Sequence, residues 1–234
     1  RTDALHSVTF TTDKNGNKLN PPVSMLLAGV SNEVVPQAVV WSKEGQSGEW
    51  TKTVVATVAT KNLEKSYVRL IFDHVDKVTG VHAVFAGTTE SSLYRGVYDP
   101  AVPGKILWDK APELTGSKRM MASAELNGDQ YVTVNAAGTP NDLDGGLFKR
   151  IDGNNPKWDF IYEWETASGR IALRGLTAVK NYATNKSFLL GANETGVIEK
   201  IDPSNNYKVT EEFDFKKYFE SKFGRLDGRV SLAA

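Results

Sequence analysis

The segment "GVIEKIDPSNNYKV", residues 196–209, has the pattern of a strand, a tight turn and a second strand. A near copy, "GLFKRIDGNNPKW", occupies residues 146–158. In both, a short apolar run leads into Ile-Asp, a Pro or Gly, Asn-rich turn residues and an aromatic-bearing strand. Asp accepts hydrogen bonds from the backbone two residues on, and Pro, Gly and Asn favour turn dihedral angles. The pattern therefore predicts the same β-hairpin twice.

Two weaker copies occur earlier, "SLYRGVYDPAVPGKILW" at 92–108 and "AVVWSKEGQSGEW" at 38–50. Each of the four hairpins is predicted to return through a fourth strand that carries a large apolar residue: Trp50, Trp108, Trp158 and Val209. We expect the three tryptophans to occupy equivalent positions and to pack between neighbouring sheets.

Two further strands precede each hairpin. The second strand of each unit ends in two small residues, which permit close approach of backbones; these pairs are Ala28-Gly29, Ala86-Gly87, Ala136-Ala137 and Gly191-Ala192. Four strands in some fifty residues, read four times, predict an all-β fold, a β-propeller of four-stranded antiparallel blades. The predicted blades span residues 5–58, 67–112, 119–166 and 173–212. The alternative is a sandwich of unrelated β-meanders.

The C-terminal region departs from the repeat. Five aromatic residues recur there at roughly helical spacing: Phe213, Phe215, Tyr218, Phe219 and Phe223. We therefore predict a short amphipathic helix near 214–223, begun by Asp214 and ended by Gly224. "LDGRVSLAA" at 226–234 resembles the first strand of a further blade, or a strand that closes the ring. The N-terminal segment lacks a starting Met, so we expect a piece of a longer chain whose parent supplies the missing blades.

Composition excludes several classes of function. Lys plus Arg and Asp plus Glu number 28 each, whereas nucleic-acid binders usually carry a basic excess. The chain has no cysteine, which excludes disulfides, thiol catalysis and Cys-ligated metals. No apolar run approaches the roughly 20 residues of a membrane span. We therefore expect no nucleic-acid partner and no membrane span.

The hairpin at 146–158 resembles the Asp-box, or BNR-repeat, hairpin of sialidase-like propellers. Gly146, Asp152, Gly153 and Trp158 match that pattern in kind, while Arg150 stands where the family has Ser or Thr. The resemblance implies a propeller, often secreted, that often binds or acts on carbohydrate, and hence an extracellular or periplasmic location. It does not imply a sialidase, because the arginine triad and the other catalytic residues of that family have no counterparts here.

The predicted ligand site lies in the inner loops, which join the second and third strands at 30–36, 88–92, 138–146 and 193–196. Each contains a carboxylate, and arginines of the blade-linking loops lie near them in the predicted topology. Loops on a rigid scaffold are where function concentrates. The candidate ligand-binding residues are Asn32, Glu33, Thr89, Glu90, Arg119, Asp142, Asp144, Arg174, Asn193 and Glu194. Alternatively, these loops are acidic only because turns favour Asn, Asp and Glu.

No metal or cofactor is predicted. Asp73, His74 and Asp76 lie close in sequence, but strand alternation places Asp73 and His74 on opposite faces, so we expect a solvated loop there. "NGDQ" at 127–130 and "DKNGNK" at 13–18 are predicted to be tight hairpin turns.

Two functional hypotheses follow. The first is a non-catalytic binding or scaffold propeller whose ligand is a glycan or a protein. The second is a carbohydrate-active enzyme, a glycoside hydrolase or lyase, that uses two inner-loop carboxylates as acid and base.

Overall fold

The computed structural model describes residues 2–30, 37–57, 67–88, 92–115, 120–134, 146–162, 165–166, 169–170, 173–193 and 196–224. These residues form four four-stranded antiparallel sheets in which consecutive strands are neighbours. The prediction of an all-β chain with four such sheets is confirmed. The predicted strand at 226–234 lies outside the described residues.

Sheets 1 and 2 come from the first half of the chain. Sheet 1 contains β1 (Thr2–Thr12), β2 (Lys18–Val30), β3 (Gln37–Glu44) and β4 (Thr51–Thr57). Sheet 2 contains β5 (Val68–Val75), β6 (His82–Thr88), β7 (Ser92–Tyr98) and β8 (Ile106–Trp108), and β9 (Leu114–Thr115) also pairs with β7.

Sheets 3 and 4 follow. Sheet 3 contains β10 (Met120–Leu126), β11 (Asp129–Val134), β12 (Gly146–Ile151) and β13 (Lys157–Tyr162). A two-stranded ribbon, β14 (Glu165–Thr166) and β15 (Gly169–Arg170), comes next. Sheet 4 contains β16 (Leu173–Asn181), β17 (Lys186–Asn193), β18 (Val197–Asp202) and β19 (Lys208–Asp214), and helix α1 (Phe215–Phe223) follows it directly.

The chain divides into two compact units. The first comprises residues 1–120 and 151–158, and the second comprises residues 121–150 and 159–234. The first unit therefore holds sheets 1 and 2 with the hairpin turn of sheet 3, and the second holds most of sheet 3 with sheet 4 and α1.

The core of the first unit lies between sheets 1 and 2. Phe10 and Leu27 of sheet 1 pack in one cluster with Val68, Ile71 and Val84 of sheet 2. Along β1, from Ser7 to Thr11, exposed and buried residues alternate, because one face of sheet 1 packs on sheet 2.

The glycines of two small pairs lie where backbones approach closely, as predicted. A Cβ built on Gly29 would lie 2.8 Å from Val68 Cγ1 on the first strand of sheet 2. A Cβ on Gly87 would lie 2.7 Å from the Cβ of Met120, the first residue of β10. The second strand of one sheet thus meets the first strand of the following sheet twice in the same way. The pair Ala136-Ala137 lies outside the described residues.

The predicted equivalence of the tryptophans is wrong for Trp50. Trp108 donates from Nε1 to Thr53 Oγ1 at 3.2 Å, which places it between sheets 2 and 1. Trp158 is 9% exposed and packs edge-on against Phe85 of sheet 2. Trp50, in contrast, is 43% exposed and precedes β4, whose first residue, Thr51, is the one that pairs with Ser42 of β3.

In the second unit, sheets 3 and 4 share a core. Tyr131 and Leu147 of sheet 3 pack in one cluster with Leu176, Leu189 and Ile201 of sheet 4. The hydroxyl of Thr133 on β11 also donates to the carbonyl of Leu173 on β16, at 3.4 Å.

Helix α1 confirms the predicted helix and both of its ends. The Asp214 carboxylate accepts from Lys217 N at 2.9 Å, and Gly224, at φ 82°, donates its N–H to Glu220 O. The rings of Phe213 and Phe215 contact edge to face, with centroids 4.7 Å apart, where β19 passes into the helix. No helix among the described residues has the length and apolar character needed to cross a membrane.

Candidate functional site

Eight of the ten predicted ligand-binding residues lie outside the described residues: Asn32, Glu33, Thr89, Glu90, Arg119, Asp142, Asp144 and Glu194. The second strands that precede these loops in sheets 1, 2 and 4 are nevertheless described. β2 ends at Val30, β6 at Thr88 and β17 at Asn193, and in each sheet the next strand begins after the gap. These three strands therefore end on the side of their sheets opposite to the turns between the first and second and between the third and fourth strands.

Arg174 and Asn193, the two described candidates, occupy the inner-loop end of sheet 4. Asn193 pairs with Leu173 across β16 and β17, so Arg174 is its near neighbour in the ladder. Asn193 is buried, and its Oδ1 accepts from Val197 N at 3.0 Å. The Asn193 side chain therefore links the end of β17 to the start of β18, while Arg174 is partly exposed.

The hairpin turns between third and fourth strands carry the acids of the repeat. Asp152 accepts from His74 Nε2, with both oxygens at 3.0 Å, and from Lys77 N at 3.0 Å. In return, Asp76 Oδ2 accepts from Gly153 N at 3.1 Å. The hairpin turn of sheet 3 is thereby joined to the first turn of sheet 2.

Sheets 1 and 2 are joined at the corresponding place. Asp99 accepts from Lys14 Nζ at 2.7 Å and from Ala101 N at 3.0 Å. The bond from Lys14 is the main cause that lowers the pKa of Asp99. Glu44, the last residue of β3, accepts from Gly104 N in the turn between β7 and β8, at 2.7 Å. The hairpin turn of sheet 2 is therefore hydrogen-bonded to sheet 1 at two places.

The hydrogen bonds of Asp202, the third hairpin acid, stay within its own turn. It accepts from Ser204 N at 3.0 Å and from Ser204 Oγ at 2.6 Å, and the hydroxyl bond is the main cause that lowers its pKa. Sheets 3 and 4 meet nearby through the hydroxyls of Tyr131 and Tyr207, which lie 3.5 Å apart.

A second cluster, not predicted from the sequence, joins sheets 1 and 2 through histidines. Asp73 on β5 contacts His6 Nε2 with one oxygen at 2.6 Å and His82 Nε2 with the other at 2.8 Å. Burial raises the pKa of Asp73, but the hydrogen bonds from His6 and His82 outweigh it, and the pKa falls well below its usual value. The carboxylate is therefore ionised throughout the neutral range.

The backbone fixes the tautomer of His82. Thr11 N donates to His82 Nδ1 at 3.2 Å, so Nδ1 must carry a lone pair and the proton must reside on Nε2. His82 consequently donates to Asp73. His6 is the more accessible of the two imidazoles, with 24% of its side chain exposed. The cluster thus forms a polar bridge between β1 of sheet 1 and β5 of sheet 2.

The expectation of a solvated loop at Asp73, His74 and Asp76 is wrong, although Asp73 and His74 do lie on opposite faces. Both residues belong to β5, and His74 and Asp76 are 3% and 5% exposed. Their alternation sends Asp73 to sheet 1 and His74 to the turn of sheet 3. Within the described ranges, no group of three or more His, Asp or Glu side chains could hold a metal ion.

The two predicted tight turns are confirmed. Asp13 accepts from Asn15 N and Asn17 N at 2.8 and 2.9 Å, and Asn127 and Gly128 take positive φ between β10 and β11. Both are turns between first and second strands.

Comparison with known proteins assigns no family to the chain. No protein-family model matches it, and no curated protein matches its sequence.

Proposed function

We propose that the four sheets are successive blades of a β-propeller of the Asp-box type. Three pairs of consecutive sheets support this proposal, because each pair meets through the hairpin turn of the later sheet. The joining residues are Asp99 with Lys14, Asp152 with Lys77, and Tyr207 with Tyr131. The recurrent approach of a second-strand glycine to the next first strand is a further argument, since crowding of this kind is expected near a propeller axis.

We propose further that this propeller is a non-catalytic binding scaffold, extracellular or periplasmic, whose ligand is a glycan or a protein. The observation that carries the proposal is that one end of the sheets holds the contacts between sheets, while the inner loops connect to the other end. Among the described residues, hydrogen bonds and ion pairs join consecutive sheets at the hairpin-turn end. The inner loops leave at the other end, where their carboxylates and amides can meet a ligand.

The chemistry of the inner loops is suited to a glycan. Glu33, Glu90, Asp142 and Glu194 are acceptors for sugar hydroxyls, and Arg174 supplies a donor fork on the same end of sheet 4. A hydrogen bond to a charged group contributes about 1.5–3 kcal/mol. Loss of one such contact should therefore weaken binding roughly 10- to 150-fold.

Screening against an immobilised glycan library, followed by calorimetry with the best ligand, tests the proposal. Glu90→Gln and Glu194→Gln should weaken binding while leaving the urea midpoint unchanged. Asp202→Asn, in a hairpin turn, is the control and should bind as the wild type does. Binding that is lost in Asp202→Asn and kept in both inner-loop variants would place the site at the wrong end. Release of reducing ends that stops in the Gln variants would instead favour the hydrolase.

A further inference from the structure

The chain contains two N-glycosylation sequons, the pattern Asn-x-Ser/Thr in which x is not Pro. They are Asn-Lys-Ser at 185–187 and Asn-Glu-Thr at 193–195. Both belong to sheet 4, where the first asparagine comes just before β17 and the second ends it. Because an N-linked oligosaccharide is bulky and solvated, the asparagine that carries it must lie at the surface of the folded protein. The structure separates the two sequons on this point.

The first sequon begins in the turn between β16 and β17, where residues 181–186 are all exposed. The side chain of Asn181 fixes the start of this turn, because its Oδ1 accepts from Ala183 N at 3.0 Å and from Thr184 N at 3.2 Å. Asn185 then takes a left-handed conformation, with φ 53°, directly before the strand. The Asn185 side chain is therefore accessible in a turn of defined shape.

The first turn of sheet 1 shows how a packed neighbour affects this position. In both turns an Asn immediately precedes the Lys that begins the second strand, so Asn17 corresponds to Asn185. The hairpin turn of sheet 2 packs on the first turn of sheet 1 through the ion pair of Asp99 with Lys14. Asn17 is nevertheless exposed. A neighbouring sheet packed in this way therefore leaves the position of Asn185 accessible.

The second sequon has the opposite environment. Asn193 is 4% exposed, its Oδ1 accepts from Val197 N at 3.0 Å, and its carbonyl accepts from Gly196 N at 3.2 Å. An oligosaccharide on the Asn193 amide nitrogen would have to enter the protein or displace the side chain and break the bond to Val197. A chain modified at Asn193 would therefore not reach this fold.

We propose that Asn185 is an N-glycan acceptor site of this protein and that Asn193 is not. The proposal rests on the extracellular location proposed above, because the transferase and its lipid-pyrophosphate-linked oligosaccharide belong to the eukaryotic secretory pathway. In the transfer, Asn185 Nδ2 forms a bond to the anomeric carbon of the donor sugar and loses one proton. The bond from that carbon to the pyrophosphate oxygen breaks, and its electron pair leaves with the lipid pyrophosphate.

A glycan on Asn185 lies away from the inner loop of sheet 4. The turn that carries Asn185 and the loop that follows Asn193 are at opposite ends of β17, which has 8 residues. At 3.3 Å a residue, the two ends are about 23 Å apart. The modification therefore leaves the inner-loop end of this sheet open to a ligand.

Secretion of the chain from a eukaryotic cell line tests the site, with mass spectrometry before and after treatment with peptide N-glycosidase. The wild type should carry one glycan, Asn185→Gln none, and Asn193→Gln one, as the wild type does. Ser187→Ala is the matched control, because it keeps Asn185 and removes only the hydroxyl group that the sequon requires; it should carry none. A wild type secreted without a glycan, or with one on Asn193, would contradict the proposal.

A second test does not depend on secretion. The folded chain from a bacterial host is incubated with a purified oligosaccharyltransferase and the lipid-linked donor, and modification at Asn185 alone is expected. An unmodified Asn185 in this assay would contradict the proposal. Ligand binding by the same unmodified chain that still depends on Glu90 and Glu194 would then leave the proposed function standing, so the two failures can be told apart.

Discussion

Replacement of Asp152 by alanine should destabilise the protein through the junction between sheets 2 and 3. The carboxylate, 10% exposed, accepts from the ring of His74 and from the backbone of Lys77 at 3.0 Å. Removing the acceptor of a buried donor costs about 1–3 kcal/mol, and an ordinary hydrogen bond contributes about 0.5–1.5 kcal/mol. Loss of the acceptor for the buried His74 ring falls in the first range, and loss of the hydrogen bond from Lys77 N falls in the second. The expected loss in free energy of unfolding is therefore about 1.5–4.5 kcal/mol.

Asp202→Ala is the matched control, because Asp202 occupies the same position of the repeat in sheet 4. Its hydrogen bonds go only to Ser204 of its own exposed turn. We expect a loss well under half of that for Asp152→Ala. Urea unfolding, followed by far-ultraviolet circular dichroism and by tryptophan fluorescence, measures both changes. Equal losses for the two variants would refute the reasoning, because they would show that Asp152 also acts only within its turn.

Three further predictions concern packing and charge. Gly87→Ala should lower the free energy of unfolding by about 1–3 kcal/mol, because the new methyl group meets the Cβ of Met120; an unchanged urea midpoint would contradict the close approach. Trp158→Ala should cost about 3–5 kcal/mol, and Trp50→Ala less than about 1 kcal/mol, because only Trp158 is buried; the reverse order would contradict the packing. The pKa of Asp73 is lower in the folded protein than in the unfolded chain. Its ionised carboxylate therefore stabilises the fold fully at a pH above the pKa of the unfolded chain, and this stabilisation is lost as the pH falls through the pKa of the folded protein. Asp73→Asn should therefore destabilise most at neutral pH and progressively less below about pH 4, whereas a difference independent of pH in acid-titrated melts would contradict the ionised bridge.

Much of the fold could be predicted because its signals are local. The Ile-Asp turns, the small pairs and the Asp214 cap each lie within a few residues of the structure they specify. The β19–α1 boundary is an example, since Asp214 is the residue whose side chain accepts from Lys217 N. The alternation of side chains along a strand also correctly predicts that Asp73 and His74 lie on opposite faces of β5.

The contacts between sheets could not be predicted, because their partners are distant in sequence. His6 lies 67 residues before Asp73, and His74 lies 78 residues before Asp152. Nothing in the surrounding residues specifies which strand faces which. The three histidines, His6, His74 and His82, all lie on strands, and a polar ring on a strand is the one local signal of such a partner.

Trp50 shows the limit of aligning repeats by residue type. In sheet 2, Trp108 pairs with Gly96 inside the ladder, whereas the sheet 1 ladder begins only at Thr51 with Ser42. The turn in sheet 1 is accordingly placed differently from its sheet 2 counterpart, and a tryptophan at the same apparent position falls outside the strand.

A crystal structure of the chain tests the central claim, that the four sheets are propeller blades, most directly. The account predicts four sheets arranged radially about one axis, with the inner loops on one side and the turns of Asp99, Asp152 and Asp202 on the other. Two sheets packed face to face as a sandwich, or inner loops distributed over both sides, would contradict it.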